Sequence, residues 1–336
     1  RGQVLGKISE NYEKVIAVSG SHGKTTTTAM IHQILECAGF EPTLHLGGFR
    51  IEDGKNFVLG GNKYFVTEAC EYCDNFLNLH PYISVVTNIE KEHMDYFKTF
   101  ERQLRSFEKF RRQSQIVVED CQGYSVRKIC HDSDGSLMFE LFEGKAKLFD
   151  LHLKLCEEVN TQNCIYALKV CRILGVPDHI IKLGLESFKG VGTRFEKMDC
   201  PYFKNVVCDY AHHPTEISKA LCSARNIYRN KRLITIFQPH TFSRTKNLCH
   251  EFLEVFKYVD TPLFYKTYSA RENPSEGMSS EEFTEIIKKE NSNAEYFDDF
   301  ESLFEYLLKF KEEDVVLLFV GAGDLPAIAH KNNFLT

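Results

Sequence analysis

Lys24 and Thr25 stand directly after the turn Gly20-Ser21-His22-Gly23 and directly before three more threonines. An ammonium and a hydroxyl at that point suit a nucleoside triphosphate, the lysine for its β- and γ-phosphates and the threonine for Mg²⁺. The flanking residues support the reading. Val15 to Val18 is an apolar, β-branched run that predicts a buried strand, and Thr25, Met30, Ile31, Ile34 and Leu35 have helical spacing. A strand, a glycine turn and a helix N-terminus in that order aim unpaired amides and a helix dipole at one spot. Gly20, Ser21, His22, Gly23, Lys24, Thr25 and Thr26 are therefore the candidate phosphate site. The spacing departs from GxxxxGK[ST], because Val18 stands where its first glycine belongs. An ordinary strand–helix turn gives no reason for a lysine there.

Two further strand ends bring chemistry to the same edge. Tyr64 to Thr67 predicts a strand that delivers Glu68, and Ile83 to Thr87 predicts one ending at Asn88, with Glu90, Glu92, His93 and Asp95 beyond it. Ligands of parallel sheets gather at the carboxyl ends of the strands. Mg²⁺ favours hard oxygens, which Thr25 and Glu68 supply. His93 is a less usual ligand, and two metals are needed to employ both Glu68 and His93. The plainer readings are a solvated carboxylate for Glu68 and a loop histidine for His93.

The elements that position these groups alternate strand and helix. The helix after the turn should stop at Gly39, and Thr43–Gly48 and Phe57–Leu59 should be short strands around the Asp53-Gly54 turn. Residues 99–112 predict an amphipathic helix with Phe100, Leu104, Phe107 and Phe110 inward and the arginines wet. Residues 115–153 suggest antiparallel strands at a sheet edge, turning at Gly123, Asp134-Gly135 and Gly144. A helix over 160–174, with Asn160 as N-cap, and a second over Ile180–Phe188 lead to the glycine-rich stretch 190–194, the best linker in the chain. Beyond it, strands are predicted at 205–208, 233–237, 262–265 and 315–320. Helices are centred on 217–228, 246–256, 281–289 and 300–309. The fold class is α/β, a central P-loop domain with a mostly parallel sheet (15–192) followed by a Rossmann-like domain (193–336), with 1–14 as remnant or linker. Histidines and arginines on the loops of the second domain, His212 and His213 among them, suit an anionic substrate, although loop packing is the plainer reading. Gly321-Ala322-Gly323 is too short for a dinucleotide fingerprint, so no NAD is expected.

Bulk composition narrows the classes. The 336 residues are 43% apolar and 26% charged with a net charge of −6, so a nucleic-acid surface is not expected. No run of about 18 apolar residues exists to span a membrane. Twelve cysteines lack paired spacing, several in apolar stretches such as Cys164, Cys171 and Cys222. That favours reduced, buried thiols in a cytoplasm. Cys70-Glu71-Tyr72-Cys73 is a lone CxxC with no second pair to complete a zinc site.

Taken together, GSHGKTTTT (20–28), TEACEYCDNFL (67–77), VTNIEKEHMD (86–95), NTQN (160–163), DYAHHPTE (209–216), FQPHTFSRT (237–245) and FVGAGD (319–324) closely resemble the Mur ligase family, over almost the whole chain. The resemblance implies an ATP-dependent ligase of peptidoglycan precursor synthesis. It would phosphorylate an acid to an acyl phosphate and hand it to an amine, with UDP-N-acetylmuramate as acid and L-alanine as amine. It implies catalytic roles for Lys24, Glu68 and His93, with Thr25 and Glu68 on a first Mg²⁺ and His93 on a second. Asn160 and Asn163 would read the adenine, and Arg194 and Asp209 would contact the nucleotide. Asn88, Tyr210, His212, His213 and Arg244 would face the substrates. It further implies hinge closure over ATP, a cytoplasmic monomer or weak homodimer, and an N-terminal UDP-binding domain of which 1–14 would be the end. Glu157-Glu158-Val159 and Thr241 depart from the family pattern. The competing readings are a sister ligase that adds a peptide or another amino acid, a folylpolyglutamate-synthetase-like enzyme, and a nucleotide-binding protein without turnover.

Overall fold

The computed structural model describes residues 2–132, 135–332 and 334–335. The chain divides into two compact units, 1–192 and 193–336.

The first unit begins with helix α1 (Gly2–Ser9), which leads to strand β1 (Lys14–Ser19) and helix α2 (Lys24–Cys37). β2 (Thr43–His45), β3 (Phe57–Val58), β4 (Tyr64–Glu68) and β5 (Ile83–Val86) follow. Next come α3 (Met94–Phe97), α4 (Phe100–Arg112) and β6 (Ile116–Val118). The sheet order is β3-β2-β4-β1-β5-β6, parallel except for the edge pair β2–β3. Period-2 alternation sorts β1 between two cores: Ile16 and Val18 join the apolar cluster under α2, while Ala17 faces Phe76, Phe107 and Phe110. α2 stops where expected, with Gly39 at φ +72°.

Helix α4 buries Phe107 and Phe110 as expected, but its inward face is completed by polar residues rather than by Phe100 and Leu104. Gln103, Ser106, Phe107 and Phe110 are inside, and Leu104 is 39% exposed. Two polar residues hold that face because each has a partner. Gln103 donates to the Glu90 carbonyl at 2.9 Å, and Ser106 bonds Asp74. Arg102, Arg105 and Arg112 are exposed as predicted, whereas Arg111 is half-buried and pairs with Glu119 at 2.6 Å.

The region 115–153 also differs. β6 extends the main sheet in parallel, and β7 (Tyr124–His131), β8 (Leu137–Glu143) and β9 (Ala146–Leu153) form their own antiparallel sheet. Its inward residues Leu137, Phe139, Leu141, Leu151 and Leu153 enter the main core, so packing rather than strand pairing attaches it. Asp134 of the expected 134–135 turn lies outside the described residues. α5 (Asn160–Ile173) and α6 (Asp178–Ser187) complete the unit against α2. Asn160 is not the N-cap. It is the first helical residue, buried, and its Oδ1 accepts from Asn163 Nδ2 at 2.9 Å.

In the second unit β10 (Glu196–Met198) and β11 (Val206–Asp209) precede α7 (Pro214–Ile227) and β12 (Arg232–Phe237). α8 (Phe242–Asn247), α9 (Cys249–Phe256), β13 (Thr261–Tyr265) and α10 (Ser280–Ile287) follow. β14 (Glu295–Phe297), α11 (Phe300–Leu308), β15 (Val315–Val320) and α12 (Leu325–Lys331) complete it. The sheet order is β10-β11-β15-β12-β13-β14, parallel apart from β10. The helix expected over 246–256 is two, broken at Leu248 (φ −112°, ψ 21°). One face of the sheet packs Leu303, Leu307 and Leu325, the other a ring cluster of Phe237, Phe252, Phe256, Phe264 and Phe283. All twelve cysteines are free thiols. Cys164 and Cys171 are buried as expected, but Cys222 is exposed, because it lies on the outer side of α7.

Candidate functional site

The Gly20–Gly23 turn takes backbone angles that suit glycine, φ +128° at Gly20 and +83° at Gly23. Several hydrogen bonds strap it to the loop after β5. Ser21 N–H donates to the Asn88 carbonyl (3.0 Å) and His22 N–H to Asn88 Oδ1 (2.9 Å). Thr87 Oγ1 donates to the His22 carbonyl (2.6 Å), and Glu90 N–H donates to Ser21 Oγ (2.8 Å). Asn88 thus shapes the turn, whatever else it touches.

Lys24 opens α2 with its side chain folded back. Its ammonium donates to the Gly20 carbonyl, to the Ser21 carbonyl at 3.2 Å and to Glu71 Oε1 at 3.2 Å. Burial alone lowers its pKa, but the negative charges of Glu71 and Glu92 outweigh that and hold it above the usual lysine value. Thr25 is buried at 8% exposure, and Thr28 Oγ1 caps the Lys24 carbonyl at 2.8 Å. Thr26 follows in the first turn of α2.

Glu68 ends β4 opposite Val18 of β1, and its Oε1 accepts the Gly47 N–H at 2.7 Å. His93 adopts the left-handed conformation (φ 56°, ψ 39°) ahead of α3. Its ring lies 4.8 Å from that of Tyr72, and its Nε2 is 3.7 Å from the same Glu71 oxygen that holds Lys24. His93 and Lys24 are therefore brought together through Glu71, a residue the spacing did not single out. Glu71 is fully buried, and its Oε2 has no hydrogen-bond partner among the described residues. Glu71, Glu92 and His93 each place one ligand atom within 4.8 Å of the others. The side chain of Asp95 lies outside those described.

Asn160 and Asn163 are buried behind the turn. Asn163 Oδ1 accepts from Thr27 Oγ1 at 3.2 Å, beside Gly23. Despite the unusual Glu157-Glu158-Val159, the approach to α5 is a regular turn: Asn160 and Thr161 N–H donate to the Glu157 and Glu158 carbonyls, both at 3.0 Å.

Within the second unit, the end of β11 carries Asp209, buried, its carboxylate accepting from Phe195 N–H (2.8 Å) and Ala211 N–H (2.7 Å). Burial pushes its carboxyl up to about 6, against the opposing pull of Arg194. Arg194 lies over the Tyr210 ring at 5.4 Å. His212 Nδ1 is 2.9 Å from the Tyr210 carbonyl, and burial pushes the imidazole down to about 4. Its ring is 5.9 Å from that of His240, which stacks on Tyr268 and lies 3.5 Å from Arg244 Nη1. Tyr210, His212 and Arg244 are thus gathered with His240 and Tyr268. His213 instead precedes α7 and donates its N–H to Glu216 at 3.3 Å. Gly321 and Gly323 stand against Gln238. They let Gln238 approach, its Oε1 accepting Leu325 N–H at 2.9 Å and its Nε2 donating to Asp324 at 2.9 Å.

Known proteins agree with this architecture. Residues 18–120 match the Mur ligase middle domain and residues 193–323 the Mur ligase glutamate ligase domain. The chain is 36% identical to the UDP-N-acetylmuramate–L-alanine ligase of Caldanaerobacter subterraneus subsp. tengcongensis, over 98% of this chain and 78% of that one. It is 38% identical to the ligase of the same name from Clostridium kluyveri, over 97% and 77%. In fold it resembles the UDP-N-acetylmuramate–alanine ligase of Thermotoga maritima (TM-score 0.81, 24% identity, 98% of this chain and 76% of that one). It also resembles the MurF ligase of Thermotoga maritima solved with ADP (TM-score 0.72, 17% identity, 99% and 83%). No helix among the described residues is long and apolar enough to cross a membrane. With both domains matched in order and more than a third of the residues shared with the Caldanaerobacter and Clostridium ligases, the chain belongs to the Mur ligase family and is an ATP-dependent ligase.

Proposed function

We propose that the chain joins the carboxylate of UDP-N-acetylmuramate to the amine of L-alanine in the cytoplasm, as a step in peptidoglycan precursor synthesis. The carboxylate oxygen attacks the γ-phosphorus of ATP and ADP leaves, giving an acyl phosphate. The amine then attacks the acyl carbon, a C–N bond forms, the C–O bond to phosphate breaks, and the amine gives up a proton. The turn amides and Lys24 bind the β- and γ-phosphates, and Lys24 neutralises the charge that spreads over the transferred group. Asn160 and Asn163 bound the adenine side of the turn, and Arg194 and Asp209 contact the nucleotide. Asn88, Tyr210, His212, His213 and Arg244 serve the substrates.

The donor set suits Mg²⁺. Thr25 and Glu68 offer hard oxygens beside the turn, and Glu92 and His93 hold ligand atoms within 4.8 Å of each other in a second group. Thr25 and Glu68 would hold one ion and His93 a second, and such ions supply charge neutralisation at the phosphates.

The observation that carries this reading is the partly buried ammonium of Lys24 at the head of a glycine turn between strand and helix. The test is phosphate release from MgATP with UDP-N-acetylmuramate, offering L-alanine, glycine, L-serine or a tripeptide separately. Release that depends on L-alanine supports the proposal. Release with the tripeptide alone would make the chain a peptide-adding relative, and ATP binding without release a nucleotide-binding protein.

A further inference from the structure

Every donor of the Lys24 ammonium is matched to an acceptor inside the protein: two carbonyls of the turn and Glu71 Oε1. A lysine held this way has no N–H left for a phosphate oxygen. The partner is an unusual one, since Glu71 is fully buried and Lys24 is only 19% exposed. In such surroundings an ion pair is weakly screened, and each charge depends on the other to offset its lost hydration. Glu71 is fixed in turn by the segment it opens. Its carbonyl accepts Asp74 N–H at 3.0 Å, and Asp74 is anchored by the Tyr96 hydroxyl and by Ser106. The carboxylate therefore cannot follow the lysine far.

We propose that Glu71 is a positioning residue that parks Lys24 against its own turn, so that the incoming nucleotide must draw the ammonium away from a buried carboxylate before the β- and γ-phosphates are gripped. The inference deepens the reading of the turn as a phosphate site and rests on it. Parking lowers apparent triphosphate affinity by the fraction of molecules whose lysine is released. The same negative charge repels the phosphates that approach the lysine. Both effects act on the β- and γ-phosphates and neither acts on AMP, which has none.

The test is calorimetric titration of wild-type protein, Glu71→Gln and Glu71→Asp with MgATP and, separately, with AMP, after thermal melts confirm that each variant folds. Glu71→Gln keeps the shape and removes the charge. It is expected to tighten ATP binding roughly fivefold with AMP binding unchanged. Glu71→Asp withdraws the charge by one methylene and is expected to give a smaller shift in the same direction. ATP affinity that is unchanged or weaker in whichever variant folds overturns the proposal. An equal shift for ATP and AMP also overturns it, since that marks a merely structural role. Wild-type protein that binds no ATP overturns the phosphate-site reading itself, a result distinct from either.

Discussion

A Cβ built on Gly23 would lie 2.6 Å from Oδ1 of Asn163, the oxygen that also accepts the Thr27 hydroxyl. The glycine turn and the first turn of α5 are thus fitted to each other without room for one methyl group. Gly23→Ala should destabilise the first unit by about 2 kcal/mol, through the strain of φ +83° together with this clash, and should weaken ATP binding. Adding Asn163→Ala should recover the part due to the clash and leave the part due to the backbone. Urea unfolding of the single and double variants measures both.

With Lys24 in the role proposed for it, Lys24→Ala should lower phosphate release at least about 100-fold. His93→Ala should lower kcat more than it raises the dissociation constant for ATP. Turnover assays paired with calorimetry separate the two, and normal rates in either variant would remove that residue from the machinery.

The pH dependence of the second unit should contain two opposed contributions. The imidazole of His212 is depressed to about 4, so its share of stability is complete above the unfolded value of about 6.5 and is lost as pH falls towards 4. Asp209 is raised to about 6, so the folded form takes up its proton first, and its share grows as pH falls through the same window. His212→Asn should therefore gain stability relative to wild type on acidification from pH 6.5 to 4, and Asp209→Asn should lose it. Urea midpoints measured across that range give the sign directly.

Gly184 of α6 sits on α2, where an added Cβ would meet Ile34 Cα at 2.7 Å. Because the neighbour is backbone, the helices must separate, and Gly184→Ala should cost about 1–3 kcal/mol. A matched change on the open surface, Gly39→Asn, should cost little, since nothing lies within 4 Å of a Cβ there and Asn tolerates positive φ. Thermal melts compare the two.

Much of the fold was legible because its signals are local. The β-branched run of β1, the glycine at 39 and the alternation of strands with helices each follow from a few neighbouring residues. The polar part of the inward face of α4 was not, because Gln103 and Ser106 are buried for partners supplied by the Glu90 and Asp74 loops, which no periodicity reports. β10 and β14 are three-residue edge strands, too short and too polar to raise a hydrophobic signal. In the site, Lys24, Thr25 and Glu68 announce themselves by standing at strand ends. Glu71 does not, since it sits inside a CxxC and meets Lys24 across 47 positions of sequence. An acidic residue three places after a strand-end carboxylate was the only cue.

The bonds that fasten residues 21–22 to residues 87–90 have a kinetic consequence. The ordering entropy of that turn is surrendered when the chain folds, not when a nucleotide arrives. Encounter should then proceed without a search among turn conformations, and the lifetime of the bound state, more than the speed of capture, should separate triphosphate from diphosphate.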